Sequence, residues 1–148
     1  MAKFIGEYCV KIDDKGRLVF PSAFKSVFTP GEPLSFIVKK DLFENCLCMY
    51  TYQEWEKESE LVKGRLNFFN KEHALFWREY MRERALVEPD GKLGRISIPK
   101  KLLSAIGAGK EMVFAGNDHK IEIWAKEEYE ARRMGQDAFV SLAEKILG

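Results

Sequence analysis

The chain has 148 residues, 46% of them hydrophobic and 32% charged, with a formal net charge of +1. This is an ordinary globular composition with enough chain for one sizeable core, and no run approaches the roughly 18 apolar residues of a membrane span. The small net charge argues against a uniformly basic nucleic-acid binder but not against one whose cations are focused on a few loops. The N-terminus meets Lys3 and Glu7 almost at once, without the apolar stretch of a secretory signal, so the cytoplasm is the expected compartment.

Residues 5–12 are predicted as a strand through Ile5, Tyr8, Val10 and Ile12, followed by a turn at Asp13-Asp14-Lys15-Gly16. Arg17–Phe20 continues as a second strand. Pro21 ends its ladder for want of an N–H, and Ser22 is placed to cap a short helix through Val27 and Phe28. Beyond the loop at Thr29–Pro33, strands are expected at Leu34–Lys39 and Cys46–Thr51. Thr51-Tyr52-Gln53-Glu54 has the form of a capping box. It opens a helix marked by Trp55, Val62, Leu66 and Phe69, and Asn70 is placed to cap a second helix with Leu75, Phe76, Tyr80 and Met81. Strands follow at Leu86-Val87 and Arg95–Ile98 around a turn at Pro89–Gly94. A short helix over Lys100–Ile106 should end at Gly107 as a C′ residue. Strands at Met112–Ala115 and Lys120–Trp124 flank a turn at Gly116-Asn117-Asp118, and a helix over Lys126–Leu147 carries Gly135 as a point where it can split.

The most telling feature is repetition. Gly16-Arg17-Leu18-Val19-Phe20-Pro21 recurs as Gly94-Arg95-Ile96-Ser97-Ile98-Pro99, offset by 78 residues. Leu47-Cys48-Met49-Tyr50 recurs as Ile121-Glu122-Ile123-Trp124, offset by 74. A module of about fifty residues is therefore used twice, and neither half need be a complete core alone. No flexible linker separates the copies, so they are expected to pack as one body.

The repeated turn and strand can present cations to a polymeric anion. Glycine lets backbone approach a ligand closely, and arginine offers a planar fork of donors suited to phosphate or to guanine O6 and N7. The first copy supplies Lys15 and Arg17; the second supplies Lys92 and Arg95, with Lys100 and Lys101 close behind. A two-stranded ribbon is one of the shapes that fits a DNA major groove. For a single copy, a solvated hairpin with Arg paired to Asp is the better explanation; duplication of the same Gly, Arg and Pro brings the binding reading level with it, and spacing alone goes no further.

The residues Asp13 through Pro21, then a strand, Trp55, and a second Gly-Arg…Pro block ending in Ile121-Glu122-Ile123-Trp124, resemble the MraZ family, from Phe4 to at least Trp124. That family comprises bacterial transcriptional regulators made of two AbrB-like modules. The resemblance implies a mainly β fold with helices, α+β, in which two tandem modules form a swapped-hairpin, double-ψ-like β-barrel with peripheral helices. The implied organisation is a first module at 7–54, a helical connection at 55–83, a second module at 84–127 and a C-terminal helical segment at 128–148.

The family hallmark is Asp-x-x-x-Arg in each half. Asp13 and Arg17 match it, whereas four residues separate Asp90 from Arg95. Either the second loop is one residue longer or Gly91 occupies the acidic position; Gly94 and Pro99 fix the place of Arg95. The resemblance implies that Lys15, Arg17, Lys92 and Arg95 face double-stranded DNA while Asp13 and Asp90 brace the loops. It further implies a ring-shaped homo-oligomer that binds spaced promoter repeats upstream of the division and cell-wall gene cluster, in the nucleoid. A carboxylate facing phosphate would be repelled, but one that pins an arginine pre-organises it.

Other chemistries find less support. His73 and His119 lie far apart without a nucleophile in recognisable context, and no phosphate loop or dinucleotide fingerprint is present, so no enzyme, small-molecule substrate or cofactor is expected. Cys46 and Cys48 would share one face of a strand. With only Cys9, His73 and His119 as further donors at no familiar spacing, reduced core cysteines without metal are expected. The aromatics at Phe68, Phe69, Phe76, Trp77 and Tyr80 are expected in core or subunit-interface packing. The alternative reading is an oligomeric scaffold or an antitoxin-like AbrB-type interaction module.

Overall fold

A computed structural model describes residues 3–91 and 94–148. The strands are β1 (Glu7–Lys11), β2 (Arg17–Val19), β3 (Phe36–Lys40), β4 (Leu47–Thr51), β5 (Ala85–Val87), β6 (Arg95–Ser97), β7 (Glu111–Asn117) and β8 (Lys120–Ala125). The helices are α1 (Ser22–Lys25), α2 (Tyr52–Lys63), α3 (Lys71–Met81), α4 (Lys100–Ala105), α5 (Lys126–Ala131) and α6 (Gln136–Leu147). The fold is α+β. Six strands form an antiparallel sheet in the order β1-β7-β8-β4-β3-β5, and β2 pairs with β6 in a separate two-stranded ribbon. Among the described residues the six-stranded sheet is open, with β1 and β5 at its edges.

Strand pairing carries the internal repeat into three dimensions. Exchanging β1 with β5, β2 with β6, β3 with β7 and β4 with β8 turns the sheet order into its own reverse. The register obeys the same exchange. Leu18 stands opposite Ile96, flanked by Arg17 opposite Ser97 and Val19 opposite Arg95. In the large sheet Cys48 stands opposite Glu122, flanked by Leu47 opposite Ile123 and Met49 opposite Ile121. A pseudo-twofold axis therefore passes through the Leu18–Ile96 and Cys48–Glu122 pairs. Each half supplies one hairpin of its own, β3–β4 or β7–β8, and completes its partner's sheet, so neither half contains the whole core.

That core is shared. Leu18, Phe20, Phe24, Phe36, Leu47 and Met49 from the first half pack with Ile96, Leu102, Met112, Phe114, Ile121 and Ile123 from the second, all essentially buried. Fully burying one such side chain stabilises the fold by about 1.5–3 kcal/mol, so the inner face of the ribbon is anchored strongly through Leu18 and Ile96. A second cluster of Cys48, Tyr50, Trp55 and Tyr80 fixes α2 and α3 against the other face of β4. Within it the Glu58 carboxylate accepts from Tyr50 Oη at 2.5 Å and Tyr80 Oη at 2.9 Å and pairs with Lys39 Nζ at 3.0 Å. The Arg84 guanidinium lies 4.3 Å from the ring centres of both Trp55 and Tyr80.

Several boundaries differ from the sequence expectation for local reasons. The N-cap of α1 is Pro21, with no side-chain cap, so Ser22 is the first helical residue and the helix is one turn long. Thr51 does cap α2, its hydroxyl accepting from Glu54 N–H at 3.2 Å, but the helix ends at Lys63 with Gly64 as C-cap. Leu66 and Phe69 therefore lie beyond it. Asn70 caps α3 through the N–H groups of Glu72 and His73, and His73 Nδ1 accepts from Asn67 N–H at 2.9 Å, tying the connection to the helix. Gly107, at φ +65, follows α4 in a Schellman closure, with Ala108 N–H to Leu103 O at 3.0 Å and Gly107 N–H to Ser104 O at 3.1 Å. The final helix splits, and Gly135 becomes the N-cap of α6.

The β7–β8 turn is tighter than expected. Asn117 pairs with Lys120, leaving Asp118-His119 as a two-residue turn with Asp118 at φ +59. Gly116 belongs to the strand instead. A Cβ there would lie 2.6 Å from the Phe4 carbonyl carbon, because the N-terminal segment crosses it on hydrogen bonds from Phe4 N–H to Asp118 O and from Gly116 N–H to Gly6 O.

Candidate nucleic-acid interface

The ribbon has two faces because strand side chains alternate. Leu18 and Ile96 point inward; Arg17, Val19, Arg95 and Ser97 point outward. The register sets Arg17 and Arg95 diagonally across the ribbon, about 7–8 Å apart by pleat geometry, on one face and related by the pseudo-twofold axis. Antiparallel pairing puts the two preceding loops at opposite ends of the ribbon. The outer face thus carries two guanidinium groups with a loop at each end.

The first loop is closed by its own aspartate. Gly16 N–H donates to Asp13 O at 3.0 Å, with Gly16 at φ +78, a conformation that glycine adopts without a Cβ penalty. Asp13 Oδ1 accepts from Lys15 N–H at 2.9 Å and Arg17 N–H at 2.8 Å, and Oδ2 accepts from Arg17 Nε at 2.8 Å. The Arg17 backbone N–H holds the Asp13 carboxyl below its ordinary range. Desolvation pulls the other way, and the Arg17 guanidinium and Lys15 N–H add to the lowering. Lys15 is exposed at the loop tip.

The second loop resolves the spacing question. Asp90 and Arg95 exchange both backbone hydrogen bonds at 2.8 Å, as a bridge in the ladder. Asp90 therefore occupies the position of Asp13, and the loop is one residue longer, with Gly91 at φ +76 and Gly94 at φ +67 absorbing the extra residue. The Arg95 N–H goes to the Asp90 carbonyl, whereas the Arg17 N–H goes to the Asp13 carboxylate. Lys92 lies outside the described residues. Lys25 of α1 brings its Nζ to the place where a Gly94 Cβ would sit, adding a cation to the second loop. Sequence reasoning missed Lys25, because it follows the first repeat block and meets the second only through the interleaving of the halves. Lys101, close behind, pairs with Glu83 at 3.5 Å.

His119 is exposed in the β7–β8 turn, its ring 6.4 Å from that of Tyr50. Of the central aromatics, Tyr80 and Trp77 pack in the second cluster, while Phe69 is fully exposed.

The chain is thus an interleaved, duplicated β module with two arginines on the outer face of its two-stranded ribbon. A family model described as "MraZ protein, putative antitoxin-like" matches residues 81–139. Over nearly its whole length the chain is similar to proteins named transcriptional regulator MraZ. It is 37% identical over 147 residues to that of Bacteroides fragilis strain YCH46, covering 99% of this chain and 92% of the relative. It is 38% identical to that of Christiangramia forsetii, covering 100% and 95%. It is 35% identical to that of Bacteroides thetaiotaomicron, covering 99% and 94%. The chain belongs to the MraZ family.

Proposed function

We propose that this protein is a transcriptional regulator that binds double-stranded DNA sequence-specifically through the outer face of the β2–β6 ribbon and its two flanking loops. The observation that carries the reading is the placement of Arg17 and Arg95 on one exposed face, each rooted by a neighbour buried in the common core. Arg17 arrives already oriented by Asp13, so less side-chain freedom is lost on meeting a phosphate or a base edge. Lys15 serves as a cation at the tip of the first loop and Lys92 as the second copy's counterpart in sequence, with Asp13 and Asp90 as braces, the first through its carboxylate and the second through its backbone. The relatives' names support the regulatory role. The operator is a set of spaced promoter repeats, as in the division and cell-wall gene cluster that the family resemblance implies, and the protein acts in the cytoplasm at the nucleoid as a binder rather than an enzyme.

The interleaved strands support the swapped-hairpin organisation of AbrB-like modules at 7–54 and 84–127. A closed, ring-shaped homo-oligomer is part of the same proposal. One chain with a net charge of +1 presents few cations, whereas repeated copies turn each further contact into an intramolecular one. Exposed Phe139, Val140, Leu142 and Ile146 on α6, and Leu75 and Phe76 on α3, offer apolar surface for that assembly. No described helix is long and apolar enough to cross a membrane.

The test is a gel shift with the DNA upstream of the protein's own gene against a shuffled competitor of equal length. Selective retardation of the native fragment is expected; equal competition by shuffled DNA overturns sequence-specific binding.

A further inference from the structure

The turn between β3 and β4 gathers three donors that sequence spacing does not connect. The side-chain ligand atoms of Asp41, Cys46 and Cys48 all lie within 4.8 Å of one another. Asp41 N–H donates to Cys46 O at 2.9 Å and closes the turn. Asp41 Oδ2 is held by Phe43 N–H at 3.0 Å and Glu44 N–H at 2.8 Å, which leaves Oδ1 directed at Cys48 Sγ, 3.2 Å away. Cys46 and Cys48 are two residues apart, fully buried, and turn their sulfurs to the same side.

The repeat does not require these thiols. By the offset of 74, the twofold-related positions are Lys120 and Glu122. The second half instead lends its cation to the first half's cluster, with Lys120 Nζ 3.9 Å from Cys48 Sγ. Two thiolates and one carboxylate around a divalent cation carry one net negative charge, which the Lys120 ammonium balances. Bonds of about 2.3 Å to sulfur and 2.0–2.2 Å to oxygen at tetrahedral angles place donors roughly 3.5 Å apart, close to the existing Asp41–Cys48 separation. The backbone hydrogen bonds on Oδ2 are the kind of outer contact that orients a ligating carboxylate.

We propose that Asp41, Cys46 and Cys48 form a binding site for a thiophilic divalent cation of the zinc class. Two sulfurs select against magnesium and calcium, which take oxygen donors. Each thiol gives its proton to solvent when the cation binds. The site pins the β3–β4 turn to the strand that carries the pseudo-twofold axis, away from the arginine ribbon, so the inference does not depend on DNA binding.

The test is titration of the reduced, metal-free full-length chain with Co2+, followed by absorption. One equivalent should produce a thiolate-to-cobalt charge-transfer band together with the intense visible bands of tetrahedral cobalt, and Zn2+ should abolish both. The double variant Cys46→Ser/Cys48→Ser should lose the bands. Asp41→Asn, which retains the oxygen that holds the turn, should weaken binding about tenfold or more while circular dichroism stays unchanged. Wild-type protein that develops no band, with its thiols shown reduced and counted after denaturation, overturns the proposal. So does a band that persists in the double variant.

Discussion

Asp13 holds Arg17 twice, accepting its backbone N–H at 2.8 Å on one carboxylate oxygen and its Nε at 2.8 Å on the other. One side chain thereby closes the loop and aims the guanidinium, and the Lys15 N–H joins the same oxygen as the Arg17 N–H. The paired loop achieves the first task differently, since Asp90 uses its backbone carbonyl to take the Arg95 N–H.

If the loops meet DNA as proposed, this asymmetry should make Asp13→Ala more damaging to binding than Asp90→Ala. Removing the Asp13 carboxylate should raise hydrogen exchange at residues 13–17 while the shared core stays protected, and DNA affinity should fall through loss of loop order. Stronger DNA binding on removal of the carboxylate would show that Asp13 acts only by repelling phosphate.

Glu58 should govern the acid limb of stability. Burial pushes its carboxyl up, but hydrogen bonds from Tyr50, Lys39 and Tyr80 outweigh that and hold the folded-state pKa below the ordinary 4.5. The folded chain then binds fewer protons than the unfolded chain. The contribution is fully present above the unfolded value and is lost as pH falls through the lowered folded value. Glu58→Gln should cost about 2 kcal/mol at neutral pH, the order of a charged hydrogen-bond network, and should flatten the loss of stability below pH 4.5 in urea titrations. Parallel wild-type and variant curves through that range would exclude Glu58 as the titrating group.

The apolar face of α6 should carry subunit assembly. Phe139→Glu combined with Ile146→Glu replaces two exposed apolar groups that contribute nothing to the described cores. The expected result is a smaller species by light scattering with an unchanged thermal midpoint. Affinity for a single DNA box should be retained, while the advantage of three spaced boxes over one, on the order of 10² or more for linked sites, should collapse. An unaltered particle mass would place the interface elsewhere.

Much of the architecture was legible because the repeat is written in residues with backbone meaning. Gly16 and Gly94 both take positive φ, and Pro21 and Pro99 both stand at helix N-caps. Thr51 and Asn70 cap their helices because their side chains reach local N–H groups that spacing alone identifies. What stayed hidden depends on contacts between halves. The close crossing of Phe4 over Gly116, the approach of Lys25 to Gly94 and the pairing of Leu18 with Ile96 join positions far apart in the chain. Asp41 was invisible as a partner for Cys48 because only an aspartate turn folds it back onto β4. Leu66 and Phe69 kept a helical spacing beyond the end of α2, where Gly64 closes the helix, so periodicity extended the helix too far.

The most direct measurement of the central claim is the salt dependence of binding to the upstream DNA for wild type, Arg17→Ala, Arg95→Ala and the double variant. Both side chains lie on the outer face of the ribbon while Leu18 and Ile96 hold the inner face, so all four proteins should unfold at the same temperature. If each guanidinium meets phosphate, every replacement should lower the slope of log K against log salt by about one. If one reads a base instead, discrimination should fall by roughly 1–3 kcal/mol at a single operator position. Wild-type affinity, salt slope and sequence discrimination in the double variant would contradict the assignment of the ribbon face as the DNA-binding surface.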